Sequence, residues 1–291
     1  AQALKVIDES SRCRRVEVPL ARSLREALRR RIDAVASLPT ARRQRSLYAF
    51  AASQGVIGRV HSIKADAIRA SGEAVVSALS DLPKGARVLD VGCNVGHLTT
   101  WYAREFPHLE ITGCDFVPEV IEHARDIAAS MDVSNVRFEV ADLVERVPEG
   151  PFDAVVSTQA ITSVEGDRAA VLGRVAACLR PGGRLIAVEI LADAPATTAF
   201  VNEAGTSGLA LVGISMAPFE DGFVPGAYPV LDLRVGATQV DVDIDGLYAA
   251  TLVDLRHRHF IALGWTEEEI VANRILRAAR GECGECGGCG D

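Results

Sequence analysis

Apolar positions divide the chain into a helical first part and a second part in which strands and helices alternate. Between Pro19 and Val35, leucine and isoleucine recur at helical spacing, and further helices are predicted over 41–54 and 60–80. From Gly85 onward, short apolar runs alternate with helical segments. These runs predict five strands, over 86–92, 109–115, 136–142, 152–158 and 183–190.

The β-α-β alternation predicts the fold class. Successive parallel strands need crossover helices on both faces of their sheet, so we expect an α/β fold with a doubly wound, Rossmann-like sheet. We predict a helical cap or lid over 1–82, the sheet domain over 83–280 and a flexible Cys/Gly-rich tail over 281–291. Within the sheet domain we expect an insertion after strand five over 193–245 with a hairpin at 229–244, a sixth strand within 248–263 and a last helix from Thr266 to about Ala279.

Composition and charge narrow the class of protein. Hydrophobic residues make up 48% of the chain, enough for a sizeable core, and no apolar run approaches the roughly 18 residues of a membrane helix. The first residues lack the apolar stretch of a secretory signal, so we expect a cytoplasmic protein without membrane contact. Residues 1–82 carry fifteen Lys/Arg and eight Asp/Glu, whereas the whole chain has a net charge of −8. The rest is therefore acidic, which disfavours nucleic acid as a partner.

Three of the seven cysteines crowd into the tail as Cys283, Cys286 and Cys289. An odd number of cysteines does not suit a secreted disulfide framework, so reduced thiols are expected. Three thiols on a glycine-rich segment could hold zinc or another soft metal if a fourth ligand came from elsewhere. The alternative is a tail without a role in chemistry.

The stretch LDVGCNVGHLTTWY, from Leu89 to Tyr102, has the pattern of a strand end, a glycine turn and a helix start. A dinucleotide-binding loop would need glycines at Asn94 and His97, and no Gly-Lys-Ser/Thr follows as in a phosphate-binding loop. What remains is an acidic residue followed by two spaced glycines: Asp90, Gly92 and Gly96. The loop is therefore expected to bind a nucleotide-like ligand that has no pyrophosphate.

Four motifs in order resemble those of class I S-adenosylmethionine-dependent methyltransferases. They are Asp90 to Gly96, Asp115 at the end of the second strand, Asp142 after the third, and RPGGRLIAVE from Arg180 to Glu189. Together they cover about residues 84–192. Asn94 departs from the family pattern, in which many members carry glycine. Locally, GCN-x-GHLT is also similar to the loop of RNA 5′-phosphate-capping methyltransferases.

The resemblance implies S-adenosylmethionine as the cofactor and assigns roles to single residues. Asp90 is expected near the methionine moiety, with Gly92, Asn94 and Gly96 forming the loop. Asp115 would accept from the ribose hydroxyls and Asp142 from the adenine amino group. Four more residues would complete the site: Phe116 packing on adenine, Leu143 donating its backbone N–H, and Thr158 with Gln159 lining the floor toward the acceptor.

The sequence does not single out a catalytic base. His97 follows the glycine loop directly, and His257 and His259 would share one face if their segment were a strand. Tyr228 and Glu189 are further candidates, with nothing to rank them. Each of these residues could equally be structural, since methyl transfer chiefly requires alignment of the acceptor.

The sequence therefore predicts an enzyme that transfers a methyl group to a small organic acceptor, on O, N or C. Ser157-Thr158-Gln159-Ala160 is unlike the Asn/Asp-Pro-Pro-Tyr run of enzymes that methylate bases or glutamine. One alternative is a methyltransferase acting on RNA or a phosphorylated acceptor. Another is a non-catalytic, metal-responsive or scaffolding protein that uses the cysteine tail. A homodimer is also left open.

Overall fold

The structure is a computed structural model and describes residues 22–38, 40–53, 65–164, 168–221, 224–262 and 266. Its helices are α1 (Arg22–Val35), α2 (Thr40–Ser53), α3 (Ala65–Leu79), α4 (His97–Glu105), α5 (Pro118–Ser130), α6 (Arg168–Cys178), α7 (Ala194–Thr206) and α8 (Ile244–Ala262), with a 3-10 turn at Ile161–Ser163. Its strands are β1 (Arg87–Val91), β2 (Glu110–Asp115), β3 (Val136–Val140), β4 (Phe152–Thr158), β5 (Leu179–Val188), β6 (Leu209–Asp221) and β7 (Val224–Val235).

The described strands form one seven-stranded sheet in the order β3-β2-β1-β4-β5-β7-β6. The strands from β3 to β5 run parallel, whereas β7 is antiparallel to both β5 and β6. The strand order reverses direction at β1 and β4, and in such sheets the crevice for a ligand lies outside the carboxyl ends at this point. The predicted doubly wound α/β fold is confirmed.

Both faces of the sheet are covered by apolar side chains of the helices. On one face, α3 and α4 contribute Val75, Leu79 and Tyr102 to a cluster with strand residues such as Val88 and Ile186. On the other face, α6 and α7 pack onto the alternate residues of the same strands. The central strands are therefore buried on both sides, which explains why they appear in the sequence as almost continuous apolar runs.

The predicted cap over 1–82 does not behave as one unit. Its last helix, α3, buries Ala67, Val75 and Leu79 against the sheet, so it belongs to the sheet's helical layer. The boundary expected at residue 82 therefore does not separate this helix from the sheet. In contrast, α2 contacts the sheet domain through a small cluster around Ala51 and Val117.

Two predictions for the region after β5 are wrong. The hairpin expected at 229–244 is instead formed by β6 and β7, since 229–235 pairs with residues of β6 and 238–243 is not a strand. Because β7 also pairs with β5, this region completes the sheet and is not an insertion. The glycines and prolines of 209–227 hide the strand pattern of β6, although its pairing with β7 covers most of both strands.

The sixth strand expected within 248–263 is also wrong, because α8 covers Ile244–Ala262. The predicted helix from Thr266 onward and the tail over 281–291 lie outside the described residues, except for Thr266 itself. Among the described helices, none combines the length and the apolar character needed to cross a bilayer.

Candidate functional site

The glycine loop lies between the carboxyl end of β1 and the first turn of α4. Gly92 and Gly96 both have positive φ angles, of 70° and 74°. A Cβ atom on Gly96 would lie 2.7 Å from the Cβ of Ala124 and 2.9 Å from the Phe138 ring. Glycine is therefore required at position 96 by both backbone conformation and packing.

Asn94 also has a positive φ, of 50°, which asparagine tolerates better than most residues. Its side-chain oxygen accepts from the N–H of Val95 at 2.7 Å, and its Nδ2 donates to the hydroxyl of Tyr48 at 2.8 Å. Its backbone N–H donates to Asp115 at 3.2 Å. The asparagine side chain thus adds two hydrogen bonds, to Val95 and Tyr48, that a glycine could not make.

Asp115, at the end of β2, is 4% exposed and is oriented by two backbone amides. Asn94 N–H donates to Oδ2 at 3.2 Å and Val117 N–H to Oδ1 at 3.0 Å. Burial raises the pKa of Asp115, while these amides oppose the rise. Because each carboxylate oxygen can accept about two hydrogen bonds, both oxygens retain acceptor capacity for a ligand's hydroxyl groups.

Asp90, near the end of β1, is 3% exposed and accepts from the hydroxyl of Thr99 at 2.6 Å. Burial raises the pKa of Asp90 to about 7, and the Thr99 hydroxyl opposes that rise. This carboxyl group joins the end of β1 to α4. It therefore supports the loop from inside the protein.

Asp142 follows β3 and is paired with Arg45 of α2, a residue 97 positions away. Arg45 Nη1 donates to Oδ1 at 2.7 Å, and Nη2 donates to Oδ2. The same guanidinium lies 4.5 Å from the centroid of the Phe116 ring. The centroid of the Tyr48 ring lies 5.6 Å from that of Phe116. No pattern in the sequence indicates Arg45, since its pairing depends on where α2 docks.

At the carboxyl end of β4, Gln159 has a positive φ of 59°. Its side-chain Nε2 is buried and has no hydrogen-bond partner within the described part of the chain. Buried amide donors are normally satisfied, so this nitrogen is suited to a ligand oxygen. Neighbouring Glu189 is fully buried and accepts from Ser157, from the hydroxyl of Thr162 at 2.6 Å and from the amide of Ile161 at 3.2 Å.

Comparisons with known proteins agree with this arrangement. Residues 82–210 match the family described as "Methyltransferase domain". The ubiquinone biosynthesis O-methyltransferase of Xylella fastidiosa is 39% identical over 108 residues, which are 36% of this chain and 42% of that protein. The demethylmenaquinone methyltransferase of Thermus thermophilus is 35% identical over 135 residues, or 46% of this chain and 59% of that one.

The chain contains a class I methyltransferase domain. A solved structure has the same fold: a chain in the complex of the Haloferax volcanii Trm112 methyltransferase activator with a methyltransferase. It has a TM-score of 0.50 and 19% identity, covering 65% of this chain and 96% of that one. The chain spans about two fifths to three fifths of the length of the two curated relatives. The family assignment therefore covers residues 82–210, and S-adenosylmethionine is the cofactor of that family.

The methyltransferase domain brings the predicted cofactor residues to one edge of the sheet. Asp90, Asp115 and Asp142 stand at or just beyond the carboxyl ends of three adjacent strands, β1, β2 and β3. Thr158 and Gln159 stand at the end of β4, on the other side of β1. Leu143 is different: its side chain is buried in the apolar core, so only its backbone remains available to a ligand.

The predicted catalytic residues are not brought together by the domain. Tyr228 packs against Phe219, with ring centroids 4.6 Å apart, inside the cluster that covers one face of the sheet. His97 is the first residue of α4 and is exposed. His257 and His259 lie in α8, so the strand that would have placed them on one face is absent. Their catalytic roles remain predictions.

Cys283, Cys286 and Cys289 lie outside the described residues. Within the described ranges, no three His, Cys, Asp or Glu side chains are grouped so that they could hold a metal ion. Cys93, Cys114 and Cys178 are free and buried. Burial raises the pKa of the Cys178 thiol to about 11, so this side chain is a packing residue and not a reactive thiolate.

Proposed function

We propose that this protein transfers a methyl group from S-adenosylmethionine to a small organic acceptor. The observation that carries the proposal is the row of three carboxylates at the ends of β1, β2 and β3, next to a glycine turn with no pyrophosphate motif. The cofactor offers hydrogen-bond donors along its length: ribose hydroxyls, an adenine amino group and a cationic amino group. Acidic residues in a row fit such a ligand.

Each residue that would hold the cofactor is assigned to one part of it, according to the hydrogen bonds that the residue already makes. Asp115 would bind the ribose hydroxyls, because both of its oxygens are oriented by backbone amides and still have acceptor capacity. Asp142 would accept from the adenine amino group, and Phe116 would pack on the ring. Asp90 would act on the methionine end by holding the loop through Thr99.

When bound, S-adenosylmethionine supplies a methyl group on a positively charged sulfur that is already activated for displacement. The protein's task is then to align the acceptor atom with that carbon and to exclude water. Gln159 Nε2 is suited to holding an acceptor oxygen. Glu189 is fully buried and surrounded by donors, so it would position the turn after β4 and not remove a proton from the acceptor.

The acceptor side points to an apolar molecule. β6 and β7 continue beyond the last pair with β5, Val188 with Val230, so their hairpin extends past the carboxyl edge of the sheet. On one face of this extension, the register places Met216 beside Pro229 and Pro218 beside Ala227. One relative is named for ubiquinone biosynthesis and another for demethylmenaquinone, and together with this surface these names support a ring acceptor of quinone type.

Isothermal titration with S-adenosylmethionine tests the cofactor assignment. Asp115→Ala is expected to weaken binding at least 30-fold, because it removes a charged acceptor and leaves two buried amides unpaired. Asp153→Ala is the matched control. This carboxylate also accepts a hydrogen bond from a backbone amide, that of Arg87 at 2.7 Å, but it lies at the start of β4, away from the carboxyl ends of the strands. Absence of binding by the wild type, or equal affinity in Asp115→Ala, would contradict the assignment.

Turnover then tests the acceptor class. Methyl transfer from labelled cofactor is expected with a demethylated quinol. A phosphorylated small amine and a short RNA with a 5′-phosphate serve as the competing acceptors. Transfer to the RNA alone would replace the proposed acceptor class. Tight cofactor binding with no transfer to any acceptor would instead favour a binding protein without turnover.

A further inference from the structure

We propose that Arg45 is an internal occupant of the adenine position, and that a ligand base enters the site by displacing its guanidinium. The inference rests on the proposed function, because it assumes that Asp142 and Phe116 receive the base. It adds a residue of α2 to the binding site. It also predicts an unusual direction of effect, since removing this side chain should improve binding.

The contacts of Arg45 are those that the base itself would need. Its guanidinium donates two hydrogen bonds to the carboxylate of Asp142 and lies 4.5 Å from the centre of the Phe116 ring. A guanidinium is planar, with its N–H groups in the plane, and it stacks on aromatic rings. Adenine with its amino group has the same combination of flat face and in-plane donor. One side chain thus engages both groups that were assigned to the base.

The surroundings favour exchange of this side chain. The side chain of Arg45 is 33% exposed and that of Asp142 is 20% exposed, so solvent weakens their pairing. The helix itself is anchored elsewhere: Ala51 is fully buried with Val117, and Tyr48 is bound to Asn94. Arg45 can therefore leave Asp142 while α2 stays in place.

The charges facing Arg45 support the same conclusion. Asp142 is its ion-pair partner, and Arg45 also helps to oppose the rise in the pKa of Asp115, which burial causes. A base that replaces the guanidinium must supply donors to Asp142 in its stead. The adenine amino group is a neutral donor, so it can replace the guanidinium at Asp142 without placing another positive charge in the site beside the cofactor's own.

Binding of adenosine to the wild type and to Arg45→Ala tests the inference. Adenosine is neutral, so removing a positive charge does not by itself improve its binding, as it could for S-adenosylmethionine. We expect adenosine to bind Arg45→Ala roughly 3- to 20-fold more tightly, the range for losing a partly exposed ion pair and a cation–π contact. Titration calorimetry gives the affinities.

Two controls separate occupancy from other effects. Arg43→Ala removes the same charge from the same helix, at a position turned by about 200° around its axis, and should change adenosine affinity less than twofold. Adding Arg45→Ala to Asp142→Ala should improve binding less than it does in the wild type, because the ion pair is already broken and only the contact with Phe116 remains to be displaced. An improvement of the same size in both backgrounds would overturn the inference.

The other outcomes are equally decisive. Unchanged or weaker adenosine binding by a folded Arg45→Ala protein would mean that Arg45 is a wall of the closed site, and the inference would be wrong while the cofactor assignment stood. If Arg45→Ala does not fold, Arg45→Lys carries the test, since it loses the planar fork and should also bind more tightly. Failure of every variant and of the wild type to bind either adenosine or S-adenosylhomocysteine would refute the proposed function as well.

Discussion

The two walls of the proposed cofactor site are held in place by different means. On the strand side, Asp90 and Asp115 are 3% and 4% exposed and are fixed by a buried hydroxyl and by backbone amides. On the helix side, Arg45 and Tyr48 of α2 contact the site through the ends of long side chains that remain partly exposed. The strand wall is preorganised, whereas the helix wall can exchange its contacts.

This difference follows from what each wall is attached to. The strand ends continue a sheet whose neighbours pair on both sides and whose faces are covered by helices. Helix α2 is attached mainly through the small cluster around Ala51, Val117 and Val120. A ligand can therefore alter the second wall with less loss of packing than the first.

The largest effect is expected on the strand wall, in the pH dependence of the stability of Asp90→Asn. Burial raises the pKa of Asp90 from its ordinary value of 3.8 to about 7 in the folded protein. Between about pH 4 and about pH 7, the folded state therefore holds a proton that the unfolded state has lost. Below pH of about 4 both states are protonated, and the contribution of this group to stability is full. It disappears as pH rises to about 7, by up to about 4 kcal/mol.

Urea unfolding of the wild type and of Asp90→Asn, at about pH 4.5 and about pH 7.5, measures the effect. The variant should gain stability relative to the wild type as pH rises. Thr99→Val, which removes the hydroxyl that opposes the pKa rise, should move the transition to higher pH. Parallel pH profiles for wild type and Asp90→Asn would show that the strand wall is more hydrated than its burial indicates.

A second, smaller effect is expected from paired glycine substitutions. Gly96 and Gly182 have the same φ of 74°, but only Gly96 is packed against Ala124 and Phe138, while no heavy atom of the described residues lies within 4 Å of a Cβ at Gly182. Gly182→Ala should cost about 1 kcal/mol for the backbone alone. Gly96→Ala should cost about 3 kcal/mol, because the packed loop must also move.

The free energies of unfolding from urea titration give both values. Their difference reports the packing of the strand wall without the contribution of the left-handed backbone. Equal costs at the two positions would mean that the loop yields easily, and the contrast between the walls would then be weaker than proposed.

The smallest effect is expected on the helix wall, from Tyr48→Phe. The change removes the hydrogen bond from Asn94 to the hydroxyl of Tyr48 at 2.8 Å and keeps the ring beside Phe116. We expect a loss of about 1 kcal/mol or less in the free energy of unfolding, and adenosine affinity within about threefold of the wild type. A loss above about 3 kcal/mol would show that α2 is held as firmly as the strand ends.

The sequence predicted the parallel part of the fold because each element there carries its own signal. The parallel strands β1, β2 and β4 are buried apolar runs, whereas the edge strand β3 alternates and buries only Phe138. The crossover helix α5 has a clear apolar face. The prediction failed after Leu191, where β6 is interrupted by glycine and proline and finds its partner only in β7. The alternating segment 238–243 looked like a strand, but it forms no strand ladder among the described residues, although Val240 N–H donates to the Leu211 carbonyl of β6 at 2.9 Å.

The candidate site shows the same limit. Asp90, Asp115 and Asp142 can be predicted from the sequence because its strand ends, glycines and acidic residues resemble the ordered motifs of the methyltransferase family. Arg45 could not be found, because nothing in the helical pattern of α2 tells which carboxylate its side chain will meet 97 positions later. The strand expected around His257 and His259 is wrong for the opposite reason, since local alternation suggested a strand where α8 forms.

Local periodicity and backbone conformation encode the succession of parallel strands and helices, the glycine turn and the acidic residues that close the strands. The packed structure is needed to tell which residues complete the sheet after β5 and which side chain meets Asp142. These depend on contacts between segments far apart in the chain, whose free energy comes from burial and charge pairing after the elements have packed. No local pattern records those contacts.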